Sequence, residues 1–206
     1  MKLYFAPGAC SIGIHYLLER LGAPYQRHAV HIRNGENNQD WYAAINPKKR
    51  VPTLERDDGS VVTEFPVIAR YLADENPRAG LVPKDKEKLL RASELCDFVV
   101  ATVHMQGFSR AFRPVKFAPD GSQHAAVVER GREIIHDGLA VVERSIGPGG
   151  TLHSIESFAD AALFYVFFWG AERLKLELPA TCAQRWQDMK TSPHARNVFQ
   201  SEAITL

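Results

Sequence analysis

The chain opens on four alternating, β-prone residues, Lys2-Leu3-Tyr4-Phe5, and Pro7-Gly8 ends that run. From Ser11 to Leu21 the apolar positions Ile14, Leu17, Leu18 and Leu21 recur at helical spacing, and Gly22 supplies a stop. Tyr25 to Ile32 reads as a second strand, Asn34 to Asn38 as a polar loop, and Trp41 to Ile45 as a short helix. Asn46-Pro47-Lys48 is a turn. Val51-Pro52-Thr53-Leu54-Glu55 reads as a strand opened by proline. Asp57-Asp58-Gly59-Ser60 predicts a hairpin turn back into Val61-Val62-Thr63. Pro66 to Asp74 predicts a helix, with proline tolerated at its first position. The order β-α-β-α-β-β-α makes residues 1–76 a compact α/β unit.

Residues 77–84 hold Pro77, Gly80 and Pro83 and read as a linker. Beyond it, residues 85–206 read as all-helical. Lys86 to Phe112 carries Leu89, Leu90, Leu95, Cys96, Val99, Val100 and Val103 on one face. Val127 to Ile146 predicts a second long helix. Ser157-Phe158-Ala159-Asp160 is an Asp variant of the capping box and opens an apolar helix to Trp169. Ala180 to Met189 and His194 to Glu202 predict two shorter helices.

Composition narrows the function classes. Lys plus Arg number 25 against 24 Asp plus Glu, a net charge of +1. That balance gives no electrostatic reason to expect a nucleic acid or an anionic membrane as partner. The apolar start before Pro7 is too short for a signal peptide, and the longest apolar stretch, Ala161 to Trp169, is too short to span a membrane. Three widely spaced cysteines, Cys10, Cys96 and Cys182, make no disulfide framework. A reducing, cytoplasmic setting is the expectation.

Cys10 follows Pro-Gly at the first turn of a helix, where free backbone N–H groups and the helix dipole favour a thiolate. Its pKa is therefore expected below the free value of about 8.5. A small apolar residue at a helix start reads equally well. Cys96, beside Leu95 and Val99, reads as core. No second cysteine stands at position 13, so a partner thiol must come from outside. Pro52 at a strand start admits a cis bond, although only about 5% of X–Pro bonds are cis. Glu64, before the helix at Pro66, suits either a simple helix-end interaction or a zwitterion whose amine it receives. His104 is a lone helical histidine with no ligand-spaced neighbours, so no metal is expected. Phe108, Phe112, Phe164, Phe167, Phe168 and Trp169 are mostly expected in the core, with a few lining an apolar pocket.

Together these motifs resemble the glutathione transferase family over essentially the whole chain. They are Pro7-Gly8-Ala9-Cys10-Ser11, Ile45-Asn46-Pro47-Lys48, Val51-Pro52-Thr53-Leu54, Thr63-Glu64, Ile68 to Asp74, and Ser157 to Asp160. The cysteine setting is similar to the bacterial beta class. The resemblance implies a thioredoxin-like α/β domain followed by an all-α domain. It also implies a cytoplasmic homodimer active in detoxification, with glutathione as co-substrate and no cofactor. Cys10 would hold or activate the glutathione sulfur, with Ser11 a substitute donor and His104 reaching the cysteine. Val51, before a cis-Pro52, would pair with the cysteinyl backbone. Glu64 would take the γ-glutamyl amine, the N–H of Phe65 its carboxylate, and Asp97 would reach in from the dimer partner. Phe108, Phe112 and Trp169 would line the pocket for an electrophilic or disulfide substrate. Phe65-Pro66 departs from the family's usual Ser or Gly, the loop 34–37 lacks a lysine for the glycyl carboxylate, and Phe5 replaces a common tyrosine while Tyr4 remains. Three readings follow: a conjugating transferase, a thiol reductase or peroxidase, and a binding or regulatory protein with a weakened glutathione site.

Overall fold

The structure, a computed structural model, describes all 206 residues. Four strands, β1 (Lys2–Phe5), β2 (Gln26–Ala29), β3 (Thr53–Glu55) and β4 (Val61–Thr63), form one sheet in the order β2-β1-β3-β4. β1 and β2 are parallel, with Leu3 opposite Arg27, and the helix α1 (Ser11–Leu21) makes the crossover. β3 runs antiparallel to both β1 and β4, with Leu54 opposite Leu3 and Val62. Alternation along β1 sorts its side chains. Leu3 and Phe5 enter the main core, while Tyr4 packs on the opposite face with Val30 and Tyr42 beneath α2 (Asp40–Ile45). β2 is shorter than its sequence predicts, because the chain turns into a tight 3-10 helix at Ile32–Asn34.

α3 (Phe65–Glu75) lies beyond β4 and begins one residue before its proline. From Lys86 onward every regular element is helical. α4 (Lys86–Phe98) runs on through a π-helical segment, Val99–Phe108, into α5 (Ser109–Phe112). The sequence predicts this as one helix, but its widened middle was not legible from spacing. α6 (His124–Ile146) is the second long helix.

α7 (Asp160–Phe167) is buried on every side and continues as a second π-helical segment, Phe168–Arg173. An all-round apolar helix belongs inside a core. Its N-terminus is held by Ser157 and Asp160: the Ser157 N–H donates to the Asp160 carboxylate at 3.0 Å, and the Ala159 N–H to the Ser157 hydroxyl at 3.3 Å. α8 (Ala180–Thr191) reaches the same cap through Arg185, 2.9 Å from Asp160. α9 (Pro193–Ser201) ends the helical part.

α1 and α7 join the two parts of the molecule. Tyr16 stacks on Phe164 with ring centroids 4.1 Å apart. Gly13 is required at this crossing, since a Cβ there would stand 2.1 Å from the Ala161 carbonyl oxygen. A single apolar core therefore runs from Leu3 to Phe199.

Candidate active site

The turn from β1 into α1 carries Cys10, half-buried, one residue before α1 begins. The loop that presents it is fastened from the helical part at Gly8. The Gly8 N–H donates to Glu202 at 2.8 Å, and the Trp169 indole N–H donates to the Gly8 carbonyl at 2.8 Å. Gly8 has a left-handed φ of 69°, and Arg173 approaches to 3.0 Å of where a Cβ would stand. Only glycine meets both conditions. Glu202 also accepts from the ring of His15, with Nδ1 2.8 Å from Oε1 and both side chains fully buried. His15 Nε2 has no partner.

The Cys10 thiol lies 3.5 Å from the Val51 carbonyl, its acceptor. Val51-Pro52 is a cis peptide. The expected low pKa is overturned: burial pushes the thiol up to about 12, outweighing the N–H groups of Ser11 and Cys10 and the charges of Arg113 and Arg50. The helix N-terminus is present, but removal from water is the larger effect. Cys10 is a neutral thiol that donates.

Ser11 corrects a second expectation. Its fully buried hydroxyl donates to the Ala6 carbonyl at 3.2 Å and accepts from the Ala6 N–H at 3.1 Å. A buried hydroxyl must find partners, and these bonds spend it on closing the loop rather than on a sulfur. Tyr4 likewise donates to Glu55 at 2.7 Å.

At the start of α3, Glu64 holds a left-handed φ of 70° and exposes its carboxylate. Lys48 meets that carboxylate at 2.7 Å and the Thr63 hydroxyl at 2.8 Å. Sequence reasoning named Lys48 only as part of a turn. Phe65 resolves the question of where its ring goes. The ring is buried, 5.0 Å from Tyr165 edge to face and against Gly13. Its N–H, at the first helical position, needs no partner within the helix, and Pro66 replaces an N–H that the helix would also leave free.

The opposite wall comes from the two π-helical segments. Such segments are frequent at functional sites. His104, on the first, meets the Tyr165 hydroxyl through Nδ1 at 3.3 Å and lies 4.8 Å edge-on from the Trp169 ring. The expected reach to the cysteine is therefore replaced by a bond to Tyr165, a residue that spacing alone left within an apolar helix. Burial, then Arg113 and Arg50, depress His104 to about 4, so its ring is neutral at pH 7. Tyr165 is fully buried, and its own pKa is raised by burial and by nearby Cys10 and Cys96.

Of the expected pocket lining, Phe112 is 40% exposed, whereas Phe108 is wholly buried. Phe108 stacks on Phe112 at 5.6 Å and meets Trp169 at 5.3 Å. Phe108 is thus a core residue, a correction that follows from its inward place on the widened helix. Trp169 is 7% exposed and presents mainly its packing and its bond to Gly8. Asp97 is exposed on α4, and its carboxylate makes no hydrogen bond or ion pair within the chain.

Fold and geometry define a thiol-handling protein of two parts: a thioredoxin-like sheet with a cysteine after β1 and a cis-proline before β3, and an all-helical part that closes over the cysteine. Comparison with known proteins agrees. The family described as "Glutathione S-transferase, N-terminal domain" matches residues 8–75. Glutathione S-transferase GstA of Escherichia coli O157:H7 is 31% identical over 207 residues, covering 99% of this chain and 100% of that one. A glutathione transferase homolog from sulfitobacter, solved with bound glutathione, superposes with a TM-score of 0.88 at 27% identity, over 99% of this chain and 98% of that one. A sphingomonad glutathione S-transferase complexed with glutathione gives 0.81 at 25% identity, with both chains covered in full. The chain belongs to the glutathione S-transferase family, and it is a transferase of the bacterial kind.

Proposed function

We propose that the chain binds reduced glutathione along the sheet side of the cleft and conjugates it, through its sulfur, to an electrophilic carbon held against the helical wall. Val51 pairs with the cysteinyl backbone. Glu64 takes the γ-glutamyl amine, displacing Lys48, and the N–H of Phe65 takes the γ-glutamyl carboxylate. Cys10 turns its S–H from the Val51 carbonyl to the arriving sulfur. A neutral donor beside a helix N-terminus favours the thiolate of the ligand rather than its own. The thiol proton leaves to water. The sulfur lone pair then forms the C–S bond, and the leaving group departs with its bonding pair. His104 stays neutral and fixed by Tyr165 through the reaction.

What supports this reading above all is Cys10 at the start of α1 with the Val51 carbonyl as its acceptor 3.5 Å away. The raised Cys10 pKa weighs against a resting thiolate, and so against thiol–disulfide exchange as the main activity. The buried Phe65 ring weighs against a binding protein with an obstructed site. We read the working unit as a cytoplasmic homodimer serving detoxification, with Asp97 offered to the second copy. Exposed Val67 on α3 and Leu90 on α4 support a covered face, the three cysteines are free, and no helix is long and apolar enough to cross a membrane. Calorimetric titration with reduced glutathione tests the core of the reading. Saturable binding at one site per chain is expected, and no heat at millimolar ligand overturns it.

A further inference from the structure

The hydroxyl of Tyr165 is buried in the core, and its partner is Nδ1 of His104, 3.3 Å away. A buried hydroxyl must give its proton to an acceptor. That condition decides which atom donates. A neutral imidazole carries one proton and leaves its other nitrogen as an acceptor. With the proton on Nδ1, the phenol O–H would be buried with no acceptor. With the proton on Nε2, the O–H donates to the Nδ1 lone pair and both groups are satisfied. The basicities agree, since an imidazole nitrogen takes up a proton near neutral pH and a protonated phenol oxygen does not. Charge leaves the choice intact. Burial, then Cys10 and Cys96, raise the Tyr165 pKa and keep it a phenol. The charged groups that bear on His104 are Arg113 and Arg50, and both oppose a second proton on its ring.

Packing holds the pair in place. The Tyr165 ring stands edge to face against Phe65 at 5.0 Å, Trp169 at 5.0 Å and His104 at 5.5 Å. Phe65 stands where Ser or Gly is usual in the family, and a side chain of that size would leave one side of Tyr165 uncovered. Trp169 is itself anchored to the Gly8 carbonyl at 2.8 Å. Nε2 of His104 has no partner in the chain and is not enclosed, unlike Nε2 of His15. It opens to solvent from the half-buried ring, on the π-helical segment of the helical wall.

Resting on the function proposed above, we infer that Tyr165 is a positioning residue: it holds His104 with the proton on Nε2, so that His104 meets the electrophile as a neutral hydrogen-bond donor and not as a base. Donation from Nε2 stabilises the negative charge that attack by the sulfur places on the electrophile. The ring takes up no proton, because its Nδ1 lone pair is already engaged, and the thiol proton goes to water.

The first measurement needs no turnover. Nitrogen NMR of the free protein with labelled histidines, His104 being identified by its loss in His104→Gln, should show a protonated Nε2 and a bare Nδ1 that accepts a hydrogen bond. Tyr165→Phe removes the hydroxyl and keeps the ring. The two nitrogens of His104 should then share the proton, and its pKa should climb from about 4 toward the ordinary 6.5, because a bond to the neutral form is gone. A proton on Nδ1 in the wild-type protein overturns the inference, and so do His104 signals that ignore the change at Tyr165. The second measurement is turnover of reduced glutathione with chlorodinitrobenzene as the probe. His104→Gln retains an N–H donor and should keep kcat within about threefold, whereas His104→Ala should lower it about tenfold with little change in the KM of glutathione. Tyr165→Phe should fall between the two. Equal losses in His104→Gln and His104→Ala overturn the donor role. Absence of turnover in the wild-type protein falls on the proposed function, and the nitrogen signals still decide whether Tyr165 sets the proton on His104.

Discussion

On the sheet side of the cleft, chemistry is offered largely by backbone: the Val51 carbonyl, the N–H groups at the starts of α1 and α3, and the Gly8 peptide that holds the loop. On the helical side it is offered by side chains: His104, Tyr165, Trp169 and Phe112, carried on or beside two π-helical segments. Backbone groups are fixed by the path of the chain and tolerate many residues. A side-chain wall changes with each substitution. The first wall suits a constant ligand and the second a variable one.

The largest test strikes where the two walls are tied. Glu202 is fully buried and accepts from both the Gly8 N–H and the His15 ring at 2.8 Å. Glu202→Ala strands both donors, and breaking such a buried pair costs about 3–5 kcal/mol. Urea denaturation would read the loss, and faster alkylation of Cys10 should accompany it as the loop loosens. A loss under about 1 kcal/mol, the range of an exposed pair, would show that Gly8 is held without Glu202.

Within the helical wall, neighbouring aromatic residues should divide stability from specificity. Phe108→Ala opens a cavity and should cost about 3–5 kcal/mol. Phe112→Ala, at a side chain 40% exposed, should cost under about 1 kcal/mol yet raise KM for an aromatic electrophile. Comparable destabilisation by the two changes would contradict their separation into core and pocket.

On the backbone wall, Glu64→Gln keeps the shape and removes the charge. Its Kd for glutathione should rise about tenfold, as expected when a charge-assisted bond becomes neutral. An unchanged Kd would remove Glu64 from the site.

How far these walls are legible in the sequence follows from how they are made. The element order β-α-β-α-β-β-α, α1 with its Gly22 stop, the hairpin at Asp58-Gly59 and the cap at Ser157 and Asp160 come from local rules of spacing and capping, and the structure has each. The motif around Cys10, Val51-Pro52 and Glu64 is local too. The helical wall was harder to read. A π-helical segment changes the angle per residue, so a 3.6-residue period cannot say that Phe108 faces inward and Phe112 outward. Tyr165 reads as one more aromatic residue in an apolar run. Lys48 and Glu202 find their partners 16 and 194 residues away, beyond any local pattern. The Cys10 pKa failed for another reason: position shows the helix N-terminus, but only packing shows how much water is lost.

Titration distinguishes the walls by direction. Burial raises Cys10 to about 12 and lowers His104 to about 4, so both are uncharged at pH 7. For Cys10 the fold favours the protonated form. That contribution is whole below the thiol's ordinary 9.0 and is lost as pH rises toward about 12. For His104 the fold favours the neutral form, and its contribution is lost as pH falls from 6.5 through about 4. Iodoacetamide alkylation of Cys10 should accordingly keep accelerating well above pH 9, without a plateau near neutrality. A plateau below about pH 8 would mean that the helix N-terminus dominates after all.

The smallest effect lies at the one side chain that obstructs the backbone wall. Lys48 occupies Glu64 at 2.7 Å in the free protein, and both are more than half exposed. Exposed pairs of this kind contribute about 0–1 kcal/mol. If Glu64 takes the γ-glutamyl ammonium as proposed, that group replaces Lys48 at the carboxylate, and the pair subtracts from glutathione affinity by no more than it contributes to the free state. Lys48→Met removes the competitor, and Kd should fall by up to about fivefold with little change in stability. Weaker binding in that variant would reverse the assignment. Lys48 would then leave Glu64 to take a carboxylate of the ligand, and the sheet side would depend on a side chain as the helical side does.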